Sequence, residues 1–361
     1  MRQPLLILCS EFPPGPGGIG EHARCLANEL SQHGFSVTVV SELRSHFGPP
    51  VTDVPFIVQY VHGGRWQKAA GMLIQARQWA ARNPTGWLVC SGMLPVWLMP
   101  LIRLFSGLHT VAILHGHEVL MGGYLKRWWQ VYSLRQFHVR VAVSEFCRLT
   151  AREVLKAPIH LIPNGFDPHK YGEGPTTGHH EVLRLVTVGR VSPRKGQHNV
   201  VKALPRIKAK FPDVEYHVIG VPDFAEELEA LAFQLGVREH IKIHGVLDNG
   251  DTRIRLAASD IFIMLSERQP DGDVEGFGIA ILEANYLGLP AIGARGCGIE
   301  QAIWHQHSGW LVDPQNQLEI VTAIEDIRMQ YRRYQAQARE WAGRFTWYEM
   351  GRQYATLFMN A

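Results

Sequence analysis

The sequence is poor in everything that would staple, ligate or anchor a chain. Its 361 residues hold five cysteines, Cys9, Cys25, Cys90, Cys147 and Cys297, with no CxxC pair among them. That excludes a disulfide framework and gives no sign of paired-thiolate zinc or dithiol chemistry, so they read as buried thiols of a reducing compartment. Long apolar runs are missing too. The most apolar window, residues 93–108, is broken by Pro95, Pro100 and Arg103 and falls short of the ~20 residues that a membrane-crossing helix needs. The N-terminal apolar run stops at Glu11 and Pro13, shorter than a signal-peptide core, and the expectation is a cytoplasmic protein. No G-x-S-x-G elbow or cysteine nucleophile context occurs, and Ser144 in VAVSEFC reads as the end of a strand. Charge of one sign is scarce: the formal net charge is +3, with no basic-aromatic module of the nucleic-acid-binding kinds.

What is present is the composition of a globular chain. Hydrophobic residues make up 46% and charged residues 19%, which argues against disorder, and the length fits two domains of roughly 150 residues each. The charge is unevenly placed. Residues 1–165 carry 15 Lys+Arg against 8 Asp+Glu, and the remainder 21 against 25. A basic N-terminal half suits an anionic partner such as a lipid surface or a phosphorylated substrate, and it equally suits ordinary surface variation.

Apolar runs of strand length recur at residues 5–10, 36–41, 87–91, 109–115, 140–144 and 160–163, with helical spacing between the first two at Ala23, Leu26, Ala27 and Leu30. Residues 166–181, FDPHKYGEGPTTGHHE, break the pattern as a polar, Pro- and Gly-rich linker. A second series follows at 183–188, 214–219, 241–243, 261–265, 291–293 and 310–312. Strand-helix alternation predicts parallel sheets covered on both faces. The expected architecture is α/β: two doubly wound Rossmann-like domains, 1–165 and 182–345, joined by the linker and followed by a helix at 346–361 that returns to the first domain. Such sheets bind ligands at their carboxyl ends, so two of them facing a central cleft suit a bisubstrate enzyme.

Three motifs fall at such ends. PPGPGGIGEH, Pro13 to His22, brings Gly17, Gly18 and Gly20 to a strand-helix junction where backbone N–H groups can approach an anion; alone, it reads equally as a tight turn. GRVSPRKG, Gly189 to Gly196, places Arg190 and Lys195 after the first strand of the second series, where two cations can hold a diphosphate. EGFGIAILEANYLGLP, Glu275 to Pro290, carries Glu275 and Glu283 with Gly276 and Gly278 opening an expected helix. Eight helical steps set those carboxylates about 12 Å apart along the axis, beyond the roughly 5–9.5 Å of a glycosidase pair. They should therefore contact different parts of one long ligand. Asp271-Gly272-Asp273 spells a DxD, read here as a polar loop; His115 and His117 lack a third metal ligand nearby; and His179-His180 reads as a solvated linker pair.

The E-x7-E arrangement, GRVSPRKG, the GGIG loop, LHGHE at Leu114 to Glu118 and IPNGFD at Ile162 to Asp167 occur in order through nearly the whole chain. Together they resemble the family 4 retaining glycosyltransferases of GT-B fold, and HGHEV and DGDVEGFG are similar to its phosphatidylinositol mannosyltransferase and polysaccharide-assembling branches. The resemblance implies transfer of a hexose from a nucleotide diphosphate sugar, GDP-mannose or a UDP-hexose, to a hydroxyl of a lipid-linked or oligosaccharide acceptor, with no metal and no other cofactor. It implies that Arg190 and Lys195 bind the diphosphate, Glu283 the ribose and Glu275 the sugar hydroxyls. Gly276, Phe277 and Gly278 would offer backbone amides to sugar and phosphate. His115 would line the sugar's face, Gly18 would lie near phosphate and acceptor, and Gly17, His117 and Glu118 are the acceptor-side candidates. Competing readings are a phosphorylase or synthase of similar fold and a noncatalytic nucleotide-sugar sensor. Residues 124–135, YLKRWWQVYSLR, form a basic-aromatic segment that suits an anionic leaflet and equally suits an ordinary helix with its aromatics in the core; on the first reading the enzyme is peripheral on the cytoplasmic face.

Overall fold

The computed structural model describes residues 2–15, 17–43, 48–116, 118, 123–170 and 180–360. Chain contacts divide it into two units: Met1–Gly165 with Trp347–Ala361, and Phe166–Thr346. Residues 171–179 of the expected linker lie outside the described residues, while Pro168–Lys170 forms a 3-10 turn of the second unit.

The first unit contains β1 (Gln3–Cys9), β2 (Phe35–Glu42), β3 (Ile57–Val61), β4 (Trp87–Ser91), β5 (His109–Leu114), β6 (Val139–Ala142) and β7 (His160–Leu161). They form one parallel sheet in the order β3-β2-β1-β4-β5-β6-β7. The order reverses direction after β1, the switch point at which doubly wound folds bind ligands. Leu5–Cys9 and Val111–Leu114 are buried without alternation, because a parallel sheet is covered on both faces and needs apolar side chains on each. Helices Gly18–Gln32, Arg65–Arg82, Met93–Ile102, Tyr124–Arg135 and Glu145–Leu155 connect the strands. Ser144 serves as a helix cap: its hydroxyl accepts the Cys147 N–H at 3.2 Å.

The second unit repeats the plan with β8 (Arg184–Val188), β9 (Glu215–Ile219), β10 (Ile241–Gly245), β11 (Ile261–Met264), β12 (Ala291–Ala294) and β13 (Gly309–Val312), all parallel in the order β10-β9-β8-β11-β12-β13. His180, expected to be solvated, instead donates its backbone N–H to Asp260 Oδ1 at 2.9 Å and sets its ring 3.1 Å from the same oxygen; Asp260 is fully buried and needs such partners. All five cysteines are buried free thiols.

The helix Trp347–Asn360 belongs to the first unit although 181 residues of the second precede it. Its apolar face supplies Trp347, Met350, Tyr354, Ala355 and Phe358, all buried. Phe358 meets Phe35 at 5.6 Å and Trp87 at 5.0 Å between ring centroids. Truncating a buried aromatic removes its transfer energy and leaves a cavity, at about 3–5 kcal/mol. Phe358→Ala should therefore lower the denaturation midpoint of the first unit by a corresponding amount in urea melts followed by tryptophan fluorescence; an unmoved midpoint would show that the helix is not integral to that core.

Candidate donor site and N-terminal histidine cluster

In the second unit the chain leaves β8 at Val188, turns through a 3-10 element at Pro193–Lys195 and enters the helix Gln197–Lys210. Gly196, between turn and helix, has φ +72°, and a Cβ there would sit 1.7 Å from the Leu265 carbonyl oxygen. Only glycine lets the turn press against the end of β11 in this way. The packing brings Lys195 Nζ to 2.7 Å from Glu275 Oε2 and Arg194 Nη1 to 2.5 Å from the same oxygen. Arg194 Nε also reaches Asp273 Oδ2 at 3.1 Å.

Glu275 is buried. Burial alone would raise its carboxyl, but the Lys195 ammonium and then the Arg194 guanidinium outweigh that and hold it at about 2. The carboxylate is therefore ionised at any working pH. Cys297 lies in the same field and is pushed the other way, to about 12, chiefly by burial, so it stays a thiol. The Gly298 N–H donates to the Glu275 carbonyl at 2.8 Å and ties this loop to the neighbouring turn.

The expected helix from Glu275 is corrected by the structure. Helix Ile279–Tyr286 begins after Gly278, its N-cap, so Glu275, Gly276 and Phe277 belong to the loop before it and only Glu283 is helical. The 12 Å axial separation, which assumed one continuous helix, does not apply. Phe277 packs its ring inward, 6.2 Å from that of Phe345. Glu283 is buried and accepts from Lys170 Nζ at 2.7 Å. Arg190 does not join Lys195: its Nη1 lies 2.5 Å from Asp223 Oδ2, and both side chains are about half exposed. Asp271 Oδ1 accepts the Asp273 N–H at 3.0 Å in a tight loop, and no cluster of three metal-ligating side chains occurs among the described residues.

In the first unit His115 follows β5 directly. Its Nε2 sits 2.9 Å from Ser91 Oγ at the end of β4, and its N–H donates to Glu118 Oε2 at 2.8 Å. His115 and Glu118 are buried; His117 lies outside the described residues. The His115 ring stands edge-on to His22, with centroids 5.0 Å apart. His22 is in turn enclosed by Trp347 at 5.0 Å and by Tyr354, whose hydroxyl lies 3.4 Å from His22 Nε2. Gly17 caps the helix that begins at Gly18, and the Glu11 carboxylate lies against it: a Cβ on Gly17 would fall 2.3 Å from Glu11 Oε2. An anion approaching this helix start meets a carboxylate, whereas the space around Gly18 is open.

Five residues of these clusters escape sequence reasoning. Arg194 and His22 lie inside the quoted motifs, where nothing in the spacing sets them apart from Lys195 and the glycines. Asp223, Ser91 and Lys170 carry no local signal, because their contacts span 33, 24 and 113 positions.

Residues 16–170 match the family described as Glycosyltransferase Family 4, and residues 178–341 the one described as Glycosyl transferases group 1. A GDP-mannose-dependent alpha-(1-6)-phosphatidylinositol monomannoside mannosyltransferase of Mycolicibacterium smegmatis is 28% identical over 98% of this chain and 97% of its own length. The amylovoran biosynthesis glycosyltransferase AmsK of Erwinia amylovora is 25% identical over 59% of this chain and 53% of its own. Among solved structures, sucrose-phosphate synthase of Thermosynechococcus elongatus superposes with a TM-score of 0.84 at 18% identity, covering 99% of each chain. HepE of Anabaena, solved with UDP-glucose, gives 0.82 at 19% over the whole of both. The architecture is thus the GT-B fold of glycosyltransferases. The chain belongs to the family 4 glycosyltransferases.

The histidine cluster generates a pH dependence. Burial lowers the His22 imidazole to about 3, so the unfolded chain binds its proton more readily than the native one at intermediate pH. His22 therefore adds no penalty above its unfolded value near 6.5, and stability falls as the pH drops below it, by on the order of 3 kcal/mol at pH 4. His22→Phe should flatten that part of the pH-stability curve measured by denaturant melts between pH 7 and 4. An unchanged slope would mean that His22 is charged or solvated in the native state.

Proposed function

We propose that this chain is a retaining hexosyltransferase that takes a hexose from a nucleoside diphosphate sugar and passes it to a hydroxyl of a lipid-linked or oligosaccharide acceptor. The observation that carries the reading is the cation cluster at the carboxyl end of the second sheet, where Lys195 and Arg194 converge on buried Glu275 beside the glycine-capped start of helix Ile279–Tyr286. Breaking the glycosidic phosphate bond builds positive charge on the sugar and negative charge on the leaving diphosphate. Cations fixed in advance near the leaving oxygens lower that barrier, and the helix start adds partial positive charge. In this reading Lys195 and Arg190 bind the diphosphate, Arg190 giving up Asp223. Glu275 accepts from sugar hydroxyls, Glu283 from the ribose, and the amides of Gly276, Phe277 and Gly278 face sugar and phosphate. His115, braced by Ser91 and Glu118, lines the sugar face, Gly18 lies near phosphate and acceptor, and Gly17, His117 and Glu118 remain the acceptor-side candidates.

The departing phosphate oxygen takes the acceptor's proton on the face it leaves, which retains the anomeric configuration without a carboxylate nucleophile. With cations supplied by side chains, the step requires no divalent metal. The names of the relatives support GDP-mannose as donor and lipid-linked or polysaccharide acceptors, while the UDP-glucose complex of a structural neighbour keeps a UDP-hexose in view.

Lys195→Ala and Arg190→Ala should each lower turnover by roughly 100-fold or more, since charge contacts that strengthen at the transition state govern kcat. Glu283→Ala should chiefly weaken donor binding, because a ribose contact is the same in ground and transition states. Activity should survive excess EDTA. Unchanged kcat in both cation variants, or activity lost to EDTA and restored by Mg²⁺, would overturn the assignment.

We infer further that the enzyme works at an anionic membrane surface. No helix among the described residues is long and apolar enough to cross a membrane. Helix Tyr124–Arg135, however, leaves Leu125 79%, Trp128 58% and Tyr132 42% exposed, beside exposed Lys126 and Arg127. Trp128 and Tyr132 stack on the outside, whereas Leu134 of the same helix is wholly buried and takes no part. Aromatic rings and basic side chains on one exposed segment suit the interface of an anionic leaflet. The protein should float with phosphatidylglycerol vesicles at low salt, and Lys126→Glu/Arg127→Glu should stay in the soluble fraction. Equal recovery of both proteins in solution would favour a soluble acceptor.

A further inference from the structure

We propose that Arg194 is a positioning residue: it holds the Glu275 carboxylate while Lys195 moves from that carboxylate to the donor's diphosphate, and Asp273 holds Arg194 for the task. The inference rests on the donor site proposed above and gives a function to Arg194 and Asp273, to which that reading assigns no contact with the donor.

Lys195 Nζ and Arg194 Nη1 both sit on Glu275 Oε2, at 2.7 and 2.5 Å. One carboxylate oxygen thus has two cations where one would neutralise it. Asp273 Oδ2 lies on the far side of the guanidinium, 3.1 Å from Nε, so the four groups balance with Arg194 bracketed between two carboxylates. Arg194 is also fixed through its main chain, since its carbonyl accepts the Glu267 N–H at 3.0 Å. The Asp273 loop is fixed by its own turn, with Asp273 N–H on Asp271 Oδ1 and Gln269 N–H on the Asp273 carbonyl at 2.8 Å. Lys195 makes no second ion pair of this kind among the described residues and is the cation that can leave.

When a diphosphate draws Lys195 away, Glu275 remains buried with its charge. A buried carboxylate that loses its last counter-ion is strongly destabilised; with Arg194 in place it does not lose it. The planar guanidinium can hold Asp273 through Nε and Glu275 through Nη1 at once, which a lysine cannot match. A further titratable group in the field of Glu275 is the Cys297 thiol, and that stays uncharged over the working range. Without Arg194, donor binding would leave Glu275 two courses. It would keep Lys195, in competition with the diphosphate, or it would take up a proton. Each is measurable, and neither follows from a merely structural loss.

The test is calorimetric titration of GDP-mannose and UDP-glucose into the full-length protein at pH 7.5 and pH 5, in buffers of different ionisation enthalpy so that protons taken up on binding are counted. These probes have no phosphate group titrating in that range. The wild type should bind one of them with no proton uptake assignable to Glu275. Arg194→Ala should bind it about tenfold more weakly and take up additional protons at pH 5 relative to wild type, with the acid limb of its kcat profile displaced to higher pH. Arg194→Lys should recover part of both, and Asp273→Asn should lie between wild type and Arg194→Ala. If Arg194→Ala does not fold, the lysine and asparagine variants carry the comparison. Wild-type affinity and proton count in these variants would overturn the inference while leaving the donor site standing. A wild type that binds neither sugar nucleotide would overturn the donor reading and the inference with it.

Discussion

A carboxylate that burial works to protonate and two adjacent cations keep ionised is the constraint around which the second unit is arranged. Glu275 sits in a loop, and what fixes it is the turn at Pro193–Lys195 arriving from the other side of β11. That arrival depends on Gly196, the one residue between turn and helix that can adopt φ +72° against the Leu265 carbonyl. The backbone thus gathers the charged groups at one place, and in the proposed reading the side chains that change partners do so on donor binding, before charge develops. Glu283 is arranged in the same way, buried on helix Ile279–Tyr286 with the Lys170 ammonium on its Oε1. Both carboxylates are therefore already paired, and a donor bound as proposed would exchange partners with them.

The first unit gathers a different set of groups at its sheet ends. His115, Ser91 and His22 meet at the carboxyl ends of β4 and β5, and the last helix of the chain closes over them with Trp347 and Tyr354. A neutral imidazole is what a buried, aromatic-lined position selects. The C-terminal helix is thus part of the packing that fixes His115, and the fold joins the end of the chain to a residue more than 200 positions earlier.

Much of this was legible in the sequence because parallel strands buried on both faces read as unbroken apolar runs, and twelve such runs sit on strands in the structure. The edge strand β3, Ile57–Val61, was missed for the complementary reason: its burial alternates, Ile57 is 59% exposed, and IVQYV carries two polar or half-polar positions. The motif glycines and charged residues were visible by spacing, and the family resemblance gave them roles. Spacing alone did not show that Glu275 precedes its helix, although the two glycines of Gly276-Phe277-Gly278, poor helix formers, were a local sign of a loop there. Nor could it tell that Arg190 faces Asp223, that Lys170 reaches Glu283, or that Arg194 shares Glu275 with Lys195. Those are tertiary pairings between segments far apart in the chain, fixed only once the strand order is.

The central claim is that Lys195 exchanges Glu275 for a diphosphate. A crystal structure of the protein soaked with GDP or UDP tests it most directly. The account predicts diphosphate oxygens within hydrogen-bonding distance of Lys195 Nζ and of the Arg190 guanidinium, with Glu275 still held by Arg194 and the ribose hydroxyls on Glu283. A nucleotide bound elsewhere, or bound with Lys195 still on Glu275 and Arg190 still on Asp223, would contradict it.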